Sequence, residues 1–319
     1  MKAVKFSKYG DFESIEMVDA EVPKPKPNQV LIKMKCSSLN AMEWHLFRGV
    51  LLAKMKTGFP QPKLKHQILG ADIAGIVEAV GSEVTKFKKG DAVFGEDFTG
   101  AFAEFVLADQ ESVSIKPELV SFEQAAISPV AGLTALTGLR EICKVEKGDK
   151  VIVNGGSGGV GSYAVLIAKY YGAEVTAVCS AKNSEFVKSL GADHVIDYNT
   201  TDFCATQKKY KWIIEVTGNR TPKEIKPILE PGGKCAVIGF TTAKHLMRYM
   251  FSFSKKIKMV NQIASPENLA ELSKILASGK VVMPITDRFE LKDVGEGIKK
   301  ISTRRTTGKM LVNIDNSTV

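Results

Sequence analysis

Residues 151–161 read V-I-V-N-G-G-S-G-G-V-G, which puts five glycines into the seven positions 155–161. Glycine loses more conformational freedom on folding than any other residue and offers no side chain to bury, so a stretch this rich in it weakens a fold unless it meets something. A short apolar run of the kind that makes a buried strand precedes it, and residues 163–171 after it read as a helix. Gly156, Gly158 and Gly161 thus form G-x-G-x-x-G at a strand-to-helix turn. There the glycines allow the tight turn, the approach of the backbone to a pyrophosphate and the packing of helix on strand. The helix start presents unpaired N–H groups to negative charge. Gly156, Ser157, Gly158, Gly159, Val160 and Gly161 are therefore the predicted cradle of a dinucleotide. A ligand-free glycine-rich turn is the competing reading, and it leaves the lost stability without a counterpart.

Which dinucleotide is read about 20 residues further on, where an acid at the end of the second strand would bond a ribose 2′-hydroxyl. Here residues 175–179 run instead into Ser180, Ala181, Lys182 and Asn183. A hydroxyl, a cation and an amide offer no carboxylate to repel a 2′-phosphate, which predicts NADPH. Ser180 and Asn183 also suit the cap of the helix that follows, and the two roles are compatible.

The remainder of the chain divides by texture. Residues 30–35, 73–80 and 103–108 alternate or cluster as short strands, and 87–94 carry a Lys-Gly-Asp turn into another. From about residue 121 longer helical stretches alternate with apolar strands at 151–153, 175–179, 194–196, 212–216 and 235–238. This pattern is the mark of a parallel sheet flanked by helices. A helix is expected over 223–229 despite Pro227, and the tail reads helix, extended segment, helix and terminal strand. A length of 319 residues with 44% hydrophobic and 25% charged residues fits two globular domains. The net charge of +9 comes from scattered lysines rather than a basic stripe, so no nucleic-acid partner is expected. Five cysteines without C-x-x-C spacing predict reduced thiols rather than a disulfide framework. The opening MKAVKFSKYG lacks the apolar core of a signal peptide, and no run of about 18 apolar residues exists, so a cytoplasmic protein without membrane insertion is expected.

With the loop placed, the chain resembles a zinc-free medium-chain dehydrogenase/reductase of the quinone oxidoreductase (zeta-crystallin-like) group. The matching stretches include SSLNAMEWH (37–45), LGADIAGIVEAVG (69–81), FKKGDAVFG (87–95), GAFAEFV (100–106), AGLTALTGL (131–139), SLGADHVIDY (189–198), LEPGGKCAVIG (229–239) and TGKMLVNI (307–314). The resemblance implies an α/β fold, with a Rossmann doubly wound parallel sheet inserted in a GroES-like, mainly-β catalytic domain. The expected division is 1–122 with 265–319 for the catalytic domain and 123–264 for the NADP-binding domain, with the active site in the cleft. Zinc-dependent relatives carry a catalytic Cys where this chain has Asn40, and a GHE motif where it has Gly70, Ala71 and Asp72. Two ligand positions are therefore empty, and Cys36, His45 and His66 match no usual ligand spacing.

The resemblance further implies that Asn40 lies near the nicotinamide or the substrate oxygen and that Thr134 contacts the nicotinamide side. Lys182 and Tyr198 would face the adenosine phosphate with Ser180, while Gly218, Gly239 and Phe240 would let the backbone approach the cofactor. Trp44 and Phe47 are expected to wall the acceptor pocket or to be core, and the family commonly carries an acid at Glu43. Residues 241–259, apolar and basic together, read first as a subunit contact, with a lid or a membrane-surface contact as the alternatives, and a homodimer is expected. Without a Lewis acid, rate must come from positioning and from hydrogen bonds to developing charge, which suits quinones and enones better than alcohol oxidation. An NADPH-binding protein with an RNA-binding or scaffold role and a medium-chain alcohol dehydrogenase remain the alternatives.

Overall fold

The computed structural model describes residues 1–49, 62–63, 67–98, 100–206, 208–240, 243–250, 254–261 and 264–315; His66 lies outside them. The chain forms two compact units, the first from residues 1–130, 264–277 and 284–319, the second from 131–263 and 278–283.

The first unit carries strands β1 (Lys2–Phe6), β2 (Ile15–Asp19), β3 (Gln29–Leu39), β4 (Asp72–Val80), β5 (Ala92–Glu96), β6 (Phe105–Asp109) and β7 (Val113–Ile115). The second carries β8 (Lys150–Asn154), β9 (Glu174–Cys179), β10 (His194–Asp197), β11 (Tyr210–Glu215), β12 (Leu229–Val237) and β13 (Ile257–Met259), and β14 (Ile285–Glu290) and β15 (Lys309–Asn313) return to the first.

In the first unit β1 and β2 pair antiparallel, and a larger sheet runs β14-β15-β3-β4-β5-β7 with β6 on β3. The tail thus completes the first sheet. Its last strand pairs antiparallel with β3, Met310 opposite Leu39, which sets Lys309 beside the C-terminal end of β3. Helix Phe122–Ala126 packs on β3, β4 and β5, and Arg288 on β14 pairs with its Glu123. These contacts hold residues 123–130 with the first unit, so the junction falls eight residues later than expected.

The second unit is a six-stranded, wholly parallel sheet in the order β10-β9-β8-β11-β12-β13. Its interior strands are near-continuous apolar runs, as strands covered on both faces require. The order reverses between β8 and β11, and it is at such a switch point, outside the C-terminal strand ends, that open α/β sheets bind ligands. The helix expected over 223–229 is shorter, because Pro227 cannot donate to the turn behind it. The α-helix is Pro222–Ile225, followed by a 3-10 turn, and β12 begins at Leu229. In the 241–259 segment the structure places helix Ala243–Met250 and the edge strand β13, while residues 241–242 and 251–253 lie outside the described residues.

Candidate active site

In the second unit, β8 ends at buried Asn154 and the chain turns through Gly155 (φ +89°) into helix Gly159–Tyr170. A Cβ on Gly161 would lie 2.0 Å from the Gly155 carbonyl oxygen, and one on Gly156 would lie 2.9 Å from the Ala177 Cβ. These two glycines are demanded by the protein itself. Gly158 is different: among the described residues a Cβ there meets nothing nearer than the Gly155 oxygen at 3.8 Å. Its open side adjoins the first turn of a 12-residue helix, whose leading N–H groups have no intrahelical acceptor. Ser157, Gly158, Gly159, Val160 and Gly161 therefore fit a pyrophosphate.

Asn183, just beyond β9, donates from Nδ2 to Ser157 Oγ (3.0 Å), tying the loop after the second strand to the phosphate loop. Neither Ser180 nor Asn183 makes a side-chain cap bond. Tyr198 follows β10, its N–H bonded to the Cys179 carbonyl (3.1 Å) and its ring 57% exposed. Lys182 is exposed. Asp197, at the end of β10, accepts at Oδ1 from the Asn199 backbone N–H and side-chain amide (3.0 and 2.8 Å).

Across the switch point β11 closes on Glu215, which is fully buried. It accepts from Asn154 Nδ2 (2.8 Å), Thr217 Oγ1 (2.9 Å) and the Gly218 N–H (2.8 Å). Burial still pushes its pKa above the ordinary carboxylate value against these donors. Gly218 (φ +63°) would place a Cβ 1.8 Å from the Gly239 carbonyl oxygen, and one on Gly239 would lie 2.2 Å from the Val216 oxygen. Gly218 is thus required by the backbone of Gly239, and Gly239 by that of Val216. Phe240 packs on Tyr249 at 6.2 Å. Thr134 is buried in helix Pro129–Leu136, which continues as a π-helical turn, Thr137–Cys143.

The first unit holds a buried polar cluster at the end of β3. Asn40 donates from Nδ2 to Asp72 Oδ2 (2.9 Å) and accepts at Oδ1 from Lys309 Nζ (2.6 Å). Ser38 Oγ also donates to Asp72 Oδ2, and the Val130 N–H donates to Asp72 Oδ1 (2.7 Å). Asp72 is fully buried and Lys309 is 2% exposed. Asn40 precedes helix Ala41–Phe47, yet its side chain does not cap it. Glu43 instead reaches back to accept from the Asn40 N–H (2.6 Å). Glu43 is fully buried, and desolvation, with the Asp72 charge second, raises its pKa to about 8. A carboxyl group whose Oε1 has no hydrogen-bond partner is held more cheaply neutral than charged.

Phe47 belongs to the core of this unit, and Trp44 packs half-buried against it. Phe47 is fully buried among Phe6, Leu39 and Phe102, with Phe12 4.8 Å away, and Trp44 stacks on Phe12 at 6.1 Å. Phe47, fully buried, is therefore core rather than a free pocket wall. Among the described residues no three His, Cys, Asp or Glu groups come together to hold a metal. The five cysteines are unbridged, and burial pushes Cys36, Cys143 and Cys204 up to about 12, far from a nucleophilic thiolate.

Sequence reasoning missed Asn154, Glu215 and Lys309. The first two close apolar strands with a polar residue, a signal visible in VIVN and WIIE; Lys309 is brought to Asn40 only by the return of the tail.

Residues 26–118 match the alcohol dehydrogenase GroES-like domain family and residues 190–312 the zinc-binding dehydrogenase family. The chain is 34% identical over 330 residues to the chloroplast envelope quinone oxidoreductase homolog of Arabidopsis thaliana, with 98% of each chain covered. It is 32% identical over 327 residues to the chloroplastic NADPH-dependent alkenal/one oxidoreductase of the same plant, covering 98% of this chain and 79% of that one. The solved quinone oxidoreductase from Coxiella burnetii shares the fold with a TM-score of 0.87 at 30% identity over 99% of both chains.

Proposed function

This chain belongs to the quinone oxidoreductase group of the medium-chain dehydrogenase/reductase family, and we propose that it reduces a quinone or an α,β-unsaturated carbonyl by hydride transfer from NADPH, without zinc. The observation that carries the reading is the loop at the β8–β11 switch point, where Gly156 and Gly161 are filled by the protein and the Gly158 side is left open at a helix start. A dinucleotide held there by its pyrophosphate would supply the hydride from its nicotinamide. Preference for the 2′-phosphate is supported by Ser180, exposed Lys182 and exposed Tyr198 after β9 and β10, and by the lack of a carboxylate in residues 180–183.

Reduction of a quinone or enone places negative charge on an oxygen that conjugation already stabilises, so a hydrogen-bond donor can serve in place of a Lewis acid. Asn40 is proposed as that donor and Thr134 as the contact on the nicotinamide side. The sequence departures at Asn40 and Ala71, both zinc-ligand positions in metal-dependent relatives, support the zinc-free reading.

Purified protein is expected to oxidise NADPH with 1,4-benzoquinone or 9,10-phenanthrenequinone and to bind NADPH more tightly than NADH. Tighter NADH binding, or stoichiometric zinc by elemental analysis together with alcohol oxidation, overturns it. We further propose a homodimer in the cytoplasm. Strand β13, which among the described residues pairs on one side only, with β12, supports the dimer, and the unbridged thiols support a reducing compartment. Monomeric sedimentation would remove the first proposal, and recovery of native protein from another cell fraction the second.

A further inference from the structure

The clamp on Asn40 says more than that a polar residue is buried. An amide is nearly symmetric in shape and can sit either way round, but here its two ends face opposite charges. Oδ1 meets the Lys309 ammonium at 2.6 Å and Nδ2 meets the Asp72 carboxylate at 2.9 Å. Turning the amide over would set an NH₂ against an ammonium and a carbonyl against a carboxylate, losing both bonds for two repulsions.

Lys309 has no hydrogen left for a ligand. Its three donors go to Asn40 Oδ1, the Leu39 carbonyl (3.3 Å) and Asp72 Oδ2 (3.4 Å). Asp72 is likewise committed, to Ser38, Asn40, Lys309 and the Val130 N–H. Asn40 is the member with capacity to spare, since an amide carries two N–H donors and Asp72 takes one.

We infer that Lys309 and Asp72 are positioning residues for the reduction: they lock the Asn40 amide in one orientation so that its second Nδ2–H, never its carbonyl, is the group presented to the acceptor oxygen. This rests on the reading of Asn40 as the polar group that meets the acceptor. It assigns the C-terminal strand a part in the chemistry without any contact to substrate.

The test is a double-mutant cycle read in kcat at saturating NADPH with a quinone acceptor. Removing one preorganised donor costs a factor of about 100 or more, so Asn40→Ala is expected to lose about that much. Lys309→Met should lose at least about tenfold in kcat while NADPH affinity, read by cofactor fluorescence, changes less than about twofold. Asn40→Ala/Lys309→Met should fall no further than Asn40→Ala alone, because Lys309 acts only through Asn40. Multiplicative losses overturn the inference.

If Lys309→Met does not fold because Asp72 is left unpaired, Asp72→Asn/Lys309→Met removes both charges together and replaces it in the cycle. A readout independent of turnover is the Asn40 side-chain amide in ¹⁵N spectra, assigned by its loss in Asn40→Ala. Two resolved, slowly exchanging protons are expected in the parent, with shift and faster exchange in the lysine variant. Unchanged amide signals overturn the clamp whatever the activity. A parent enzyme inactive on every acceptor would defeat the reductase reading instead, and the amide signals would still decide the clamp.

Discussion

Replacing Glu43 by Gln should make this protein more stable at pH 8 and leave it little changed at pH 5. The carboxyl is fully buried, and burial, then the Asp72 charge, raises its pKa from 4.5 to about 8, with Lys309 acting in the opposite sense. A group whose folded pKa is raised keeps its proton in the native state after the unfolded chain has released it. Its contribution is therefore fully present below about pH 4.5 and is lost as pH climbs to about 8. At about 1.4 kcal/mol per pKa unit the whole loss is on the order of 5 kcal/mol, of which about 2 kcal/mol is gone by pH 6. Gln keeps an oxygen for the Asn40 N–H and removes the titration. Its amide also leaves donors without acceptors where Oε1 now lies unpartnered, a cost of about 1–3 kcal/mol that does not vary with pH. The expected result is a variant equal to or slightly below the parent at pH 5 and above it at pH 8. Urea midpoints for both proteins at whole pH units from 5 to 8 measure the difference directly. Parallel curves for the two proteins, or a Glu43 carboxyl that titrates near 4.5 by ¹³C NMR, would refute the reasoning.

Gly158→Ala should fold with unchanged melting temperature yet bind NADPH at least about tenfold more weakly, because its new methyl enters only the open side of the loop; Gly161→Ala, driven into the Gly155 carbonyl, should yield little folded protein, and equal folding yields would contradict the packing argument. Lys182→Ala should lower NADPH affinity by about tenfold while NADH affinity stays level, as loss of one charge-assisted contact to a 2′-phosphate requires; parallel losses for both cofactors would count against it. Phe47→Ala should cost about 3–5 kcal/mol of stability through a core cavity with the KM for the acceptor little changed, and a raised KM at unaltered stability would return Phe47 to the pocket.

The parallel sheet and its phosphate loop were legible because their signals are local. An apolar run of three residues, five glycines in seven and a helical period after them stand next to one another in the sequence, and only a strand-turn-helix satisfies all three. What could not be read depends on burial or on partners far along the chain. Phe47 has the composition of a pocket wall and of a core alike, and only the packing of Phe6, Phe12 and Leu39 decides for core. Gly218 and Gly239 look like glycines that admit a ligand, and only the structure shows that Gly218 makes room for the Gly239 backbone and Gly239 for that of Val216. The helix over 223–229 stops at Ile225 and gives way to a 3-10 turn, because Pro227 cannot donate to the turn behind it.

The buried cluster shows the same limit from the side of chemistry. Asp72 and Lys309 stand 237 residues apart and pair at 3.4 Å, a poor return for taking two charges out of water. The shortest bond that Lys309 makes is the one to Asn40, at 2.6 Å. A pair arranged for stability would put its closest contact between the two charges. This one gives it to a neutral amide that stands where metal-dependent relatives carry a cysteine ligand, so the ion pair is better understood as the mounting of Asn40 than as a brace of the fold. On that reading fixed charge remains near the chemistry although the metal ligands are gone, one bond removed from the acceptor.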